Sequence, residues 1–203
     1  MSQLTGVDSA WKELQAIDPA AVSKRTGVSY DAALQLYTVR AFGQDIFVSA
    51  TRQEVFSDSA AGEFLLGIKV YFFDLSILWY LIRSRDIPLS GELIKPSDLP
   101  GGQIFVQGTH VLPLDIIAQR YNNKGDAFLE TGSPFGAVRT DMGDAGLKLV
   151  PFPMVPVYLF LWFGDEDFPP QGQLLLDSTC SSYLSTDVVW AMTMVCCQLF
   201  LSE

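Results

Sequence analysis

The sequence contains a single histidine, His110, and three cysteines in 203 residues. One imidazole excludes zinc and non-haem iron sites that draw on two or more histidines. Any Ser-His-Asp or Cys-His arrangement would have to use His110 itself. Cys180, Cys196 and Cys197 are odd in number, two of them adjacent, and they lack metal-ligand spacing. No disulfide framework is expected, no cofactor is implied by cysteine or histidine spacing, and a reducing cytoplasm is the expected compartment.

Basic residues are also few, 13 against 23 acidic ones, for a net charge of −10. That balance excludes a nucleic-acid partner, which requires a basic stripe, and an anionic membrane surface as well. The opening MSQLTGVDSAWKEL has no basic n-region or apolar h-region, so no signal peptide is expected.

Apolar residues, by contrast, are plentiful: 49% against 18% charged. Such a surplus requires a large core or a partner surface, so a protein partner or a homo-oligomer is expected. One apolar run, Phe64–Ile82, approaches the length of a membrane span. Lys69 and Asp74 fall inside it, and a central charge costs about 2.5–3.5 kcal/mol. The run therefore reads as a buried helix, from about Gly62 to Ser84, with Lys69, Ser76, Tyr80 and Arg83 on a narrow wet stripe. No membrane association is expected. Asp74 projects with Val70, Ile77 and Leu81; it must find a hydrogen-bond partner or act as a functional acid.

Pro151 to Asp177 sets the architecture. Val157, Leu159, Leu161 and Phe163 point one way and Tyr158, Phe160 and Trp162 the other, so both faces are apolar. The Pro- and Gly-rich connection to Leu174–Leu176 is too short for a crossover helix, which makes an antiparallel hairpin. A strand at Leu147–Val150 precedes it. Upstream, Asp8 caps a short helix with Trp11 and Leu14, and Asp18-Pro19 opens a second helix that Gly27 stops. Leu34–Phe42 and Asp45–Thr51 form a hairpin about Gly43-Gln44. A helix spans Pro113–Tyr121, residues 126–145 are irregular apart from a turn of helix at Ala127–Glu130, and Ser185 caps a last helix to Leu201. The predicted fold is α+β: a single layered domain over residues 1–203, with a mostly antiparallel central sheet of four or five strands and apolar helices on both faces.

Three stretches resemble a known family: TGVSYDAALQLYTVRAFGQDIFV, IPLSGELIKPSDLPGGQIFVQGTH and VPVYLFLWFGDEDFPPQGQLLLDSTCSSYLSTD. In this order and spacing they are similar to the domain-of-unknown-function family 3786, a cytoplasmic family of anaerobic bacteria and archaea. The resemblance implies company with redox, corrinoid or one-carbon proteins, and some members carry a cysteine-rich iron–sulphur domain. This chain has no CxxC element, and the resemblance brings no catalytic residues with it.

The candidate sites come from the residues alone. Asp165, Glu166 and Asp167 offer oxygen ligands to a hard cation, against the favoured reading of a solvated, edge-protecting turn. Asp177 lies about five residues down the return strand, roughly 17 Å from that tip at ~3.3 Å per residue. It is expected to end the strand and cap the next turn. Gly101 and Gly102 would let backbone approach a ligand or simply make a turn. His110, at the end of a glycine-bearing loop, suits general-base or ligand work, against a structural role. Two functions follow: an accessory module docking on a partner or redox enzyme through apolar surface, or a small enzyme or cofactor-binding protein. The second would have its pocket near His110 and the 98–110 loop, aided by an acid such as Asp74.

Overall fold

A computed structural model describes residues 2–68 and 72–202, with side chains from Gly6 onward. Lys69 and Val70 lie outside the described residues. Helix α1 (Ser2–Gln15) begins upstream of Asp8, so Asp8 lies within the helix and does not cap it; its Trp11 and Leu14 are buried. In α2 (Pro19–Thr26) the Asp18 carboxylate accepts from the Ala20 N–H, and Gly27 closes the helix in the left-handed region at φ 72°.

A four-stranded antiparallel meander follows: β1 (Ser29–Asp31), β2 (Leu36–Ala41), β3 (Gln44–Ser49) and β4 (Glu54–Phe56). Ala41 pairs with Gln44, so the two-residue turn is Phe42-Gly43, one place earlier than predicted. Both turn residues have positive φ, 49° and 71°. Phe42 accepts this strain because its ring is buried against Phe73, centroids 5.8 Å apart, and its N–H donates to Val150 O at 2.9 Å. A Cβ on Gly43 would stand 2.9 Å from Gly136 Cα, so two glycines let two turns cross in contact.

The long helix expected from Gly62 to Ser84 is two helices, α3 (Ala60–Gly67) and α4 (Phe73–Arg83). Ile68 leaves the helical region at ψ 65°, and α4 restarts after Phe72 at φ 52°. Asp74 sits in the first turn of α4, where a carboxylate interacts favourably with the helix dipole. Among the described residues no helix is long and apolar enough to cross a membrane. Two polar contacts anchor α4 to α2: the Arg25 guanidinium caps Leu81 O and Ile82 O at 2.9 and 3.0 Å, and Tyr80 OH donates to Thr26 O at 2.6 Å.

Residues 84–113 then form a long strap that contains only one short strand, β5 (Leu93–Ile94). Beyond it come α5 (Leu114–Arg120), α6 (Gly125–Gly132), β6 (Val138–Thr140), β7 (Ala145–Phe152), β8 (Val155–Trp162), β9 (Gln171–Asp177) and α7 (Thr186–Leu201). Strand β6 is an addition to the expected elements; its Gly-punctuated surroundings hid it, and pairing with β7 forms it. The second sheet is five-stranded and antiparallel, in the order β5-β9-β8-β7-β6, with β8 at its centre. The fold is α+β, with this five-stranded sheet accompanied by a four-stranded one.

The faces of the five-stranded sheet are covered unequally. Val157, Leu159, Leu161, Leu174 and Leu176 belong to the main core cluster with side chains of α4, α5, α6 and α7. On the opposite face Phe160 is buried, Tyr158 and Leu175 are half-buried, and Trp162 is exposed. A chain of rings joins the parts of the core. Phe152 of β7 stacks between Phe73 and Tyr80 of α4, centroids 6.0 and 4.7 Å away, and Tyr183 follows Tyr80 at 6.5 Å. Truncating the middle ring leaves a cavity that its neighbours cannot fill. Phe152→Ala is expected to cost about 3–5 kcal/mol in urea unfolding. Val138→Ala, on the exposed rim, should stay within about 0.5 kcal/mol.

Candidate functional site

The strap carries the His110 region, and one buried carboxylate holds its upstream end in place. Asp177 ends β9 with only 2% of its surface exposed. Its Oδ1 accepts from Ser90 N–H (3.2 Å), Ser90 Oγ (2.9 Å), Thr179 N–H (3.0 Å) and Thr179 Oγ1 (2.5 Å). Its Oδ2 accepts from Gly91 N–H at 2.7 Å. Asp177 thus ends its strand and caps the next turn as expected, and in addition ties down the strap 86 residues earlier in the chain. Burial pushes this carboxyl upward, but the bonds from Thr179, Gly91 and Ser90 outweigh burial and hold it at about 2.

Further contacts continue the fastening along the strap. Tyr183 OH donates to Ile87 O, and Ser178 N–H to Glu92 O at 2.8 Å. Thr186 Oγ1 donates to Pro100 O at 2.6 Å, and Trp190 Nε1 to His110 O at 2.7 Å. The imidazole of His110 lies edge-on to Trp190, ring centroids 4.6 Å apart.

Two openings border the strap. A cleft of about 510 Å³ lies between Lys95–Ser97, Phe105, Val106 and Val111 of the strap, Leu114 and Asp115 of α5, and Trp162 and Gln171–Leu174 of the sheet. On the other side, a cavity of about 280 Å³ is lined by Phe72, Leu75, Ser76, Trp79, Trp190 and His110, among others. It adjoins one of about 420 Å³ that holds Arg83, Arg85, Ser181, Ser182 and Ser185. Trp79, Asp187 and Val188 line both, so the two cavities form one groove between α4 and α7.

His110 is exposed at the groove wall, with Nδ1 3.5 Å from Thr109 Oγ1. Asp74 does not join it there. Its Oδ1 accepts from the Leu75 N–H at 2.9 Å, and the smaller cavity is faced by Phe72 before α4 and by Leu75, Ser76 and Trp79 of α4. Gly101 has φ 77°, and a Cβ on Gly102 would lie 2.3 Å from Pro96 O, so this pair turns against its own chain. At the hairpin tip Asp165 Oδ1 accepts from the Asp167 and Phe168 N–H groups at 2.9 and 2.8 Å, which holds its carboxyl below the usual range. Among the described residues no group of three or more His, Cys, Asp or Glu side chains is arranged to hold a metal ion.

The thiols are buried. Burial, with the nearby Asp177 charge, pushes Cys180 up to about 12. Burial alone pushes Cys197 to about 12, and burial with its neighbour Cys197 raises Cys196. All three remain protonated, inert thiols at neutral pH. Sequence reasoning missed Trp79, Trp190, Arg83 and Arg85, because nothing local tells a tryptophan at a groove from one in a core.

The three stretches quoted above meet in this structure: the second is laced to the third along Asp177–Thr186, and the first packs Phe42 on the same aromatic chain. A family model, Domain of unknown function (DUF3786), matches residues 18–199, which contain all three. The chain belongs to the DUF3786 family. No curated protein and no solved structure matches it. The match leaves out α1, the residues that follow it to Ile17, and the last residues of the chain, so the strap, the cleft and the groove all lie within the DUF3786 domain.

The carboxylate at the strap makes a pH prediction for this domain. Asp177 titrates at about 2 in the folded protein against roughly 3.9 unfolded. Its contribution of about 2–3 kcal/mol is therefore complete above pH ~5 and is lost as pH falls through 4 towards 2. Urea unfolding between pH 6 and 2.5 should show Asp177→Asn less stable than the native chain at pH 6, with the gap narrowing at the acid end.

Proposed function

We propose that this DUF3786 domain is a cytoplasmic accessory module that docks on a partner protein, a redox or one-carbon enzyme of anaerobic metabolism, through the strap-side cleft. The supporting observation is where its exposed apolar side chains gather. Val106, Val111 and Trp162, with 57%, 49% and 50% of their surface exposed, line one cleft, with Phe105, Leu112 and Leu114 behind them. A cluster of large apolar side chains in water is costly unless another surface covers it.

Charge favours a different protein over a second copy. The chain carries −10 overall, so two copies repel. The loop joining Trp162 to Gln171 at the cleft carries Asp165, Glu166 and Asp167, and Asp115 lines the cleft wall. The matching surface is apolar with a basic rim, which speeds and orients encounter with an acidic module. The acidic tip then steers a partner rather than holding a metal.

A photo-crosslinking residue at position 106, compared with one at the remote exposed position 34, tests this in native extract. The expected product is a discrete species formed from position 106 only, lost on Trp162→Asp, and different in mass from twice the chain. Equal labelling from both positions, or a product of twice the chain mass, would contradict docking on a partner.

A further inference from the structure

The groove between α4 and α7 stands apart from the docking cleft and differs from it in chemistry. Its smaller cavity is walled by two indoles, Trp79 and Trp190, with His110 edge-on to the second and Phe72 at the rim. Tryptophan and imidazole edges and faces attract a flat ring and offer an aliphatic chain less. The larger cavity, which adjoins it at Trp79, is lined by Arg83, Arg85, Ser181, Ser182 and Ser185. Arg83 is engaged already: it pairs with Glu13 at 3.0 Å and lies over the Trp79 ring at 5.1 Å. Arg85 has no hydrogen bond or ion pair from its side chain among the described residues, in a chain where acids outnumber bases. A guanidinium without such partners, in a cavity that serines also line, matches a carboxylate, which it can grip with two N–H groups at once.

Asp187 lines both cavities and narrows the choice. Its charge at the junction disfavours a dianionic phosphate more than a single carboxylate. Taken together, the adjoining volumes of about 280 and 420 Å³ fall in the size range of a small-molecule site. We propose that the α4–α7 groove binds a small aromatic carboxylate, its ring in the cavity of Trp79 and Trp190 and its carboxylate on Arg85 and the serines. His110 closes the ring's side of the groove as a positioning residue.

The probe is 2-naphthoate, compared with the cation 2-naphthylmethylamine and the non-aromatic anion octanoate, by calorimetry and by the four indole N–H signals in NMR. Naphthoate should bind saturably and shift the indole signals of Trp79 and Trp190, leaving Trp11 and Trp162 in place. The amine and octanoate should each bind about tenfold or more weakly, and Arg85→Ala should weaken naphthoate about tenfold. Arg85 is exposed, so the thermal midpoint of that variant should match the native chain and separate lost binding from lost folding. The proposal is overturned by no naphthoate binding at millimolar concentration, by shifts at Trp162 instead, or by undiminished affinity in Arg85→Ala. Failure in any of these ways leaves crosslinking at position 106 unaffected, so the two ideas can fall separately.

Discussion

A carboxylate taken out of water must be compensated bond for bond, and in this protein that requirement falls on Asp177. Five donors from two distant parts of the chain meet its two oxygens. Leaving such a charge uncompensated costs several kcal/mol, so the Ser90–Gly91 turn and the end of β9 must stay together. A strap of some thirty residues has one two-residue strand, three short 3-10 turns and three core side chains, Leu99, Phe105 and Leu112, and the Asp177 bonds fix its upstream end. Tyr183, Thr186 and Trp190 extend the attachment, each satisfying a carbonyl of the strap. Both openings draw a wall from that strap: Phe105, Val106 and Val111 on one side, Ile104 and His110 on the other.

Local chemistry told most where it was self-contained. The two-sided apolar pattern of β8 marked a central strand, and Asp18-Pro19 with Gly27 marked both ends of α2. Ser185 and Leu201 bounded the last helix correctly, although the Ser185 side chain makes no cap bond. What could not be read was set by distant contacts. The apolar run from Phe64 to Ile82 hides its break, since Phe72, with apolar neighbours on both sides in sequence, adopts φ 52°. Phe42 takes the first turn position, where a glycine would be expected, because its buried ring and its bond to Val150 outweigh local strain.

The candidate site followed the same rule. Placement of Asp177 at a strand end was readable from Asp-Ser-Thr, while its partners Ser90 and Gly91 were not, being polar loop residues like many others. His110 does stand at a cavity, but its companions are two tryptophans on separate helices and not the acid proposed beside it. Of the acids at the hairpin tip, Asp165 bonds its own turn. The apolar surplus of the composition resolves into a large core plus a local cluster at Val106, Val111 and Trp162. One strap therefore separates two surfaces of different character, an apolar cleft near acidic groups and an aromatic groove with a free arginine.

The dependence of both surfaces on one carboxylate is tested most directly by amide hydrogen exchange on the native chain and Asp177→Asn at neutral pH. Asparagine turns one acceptor into a donor facing the Gly91 N–H. Exchange should speed up about tenfold or more across strap amides such as Ile94, Gly102 and Val106, while Leu159 and Leu161 in β8 keep their protection. Strap protection that is unchanged in the variant, or that falls only in step with β8, would contradict the account.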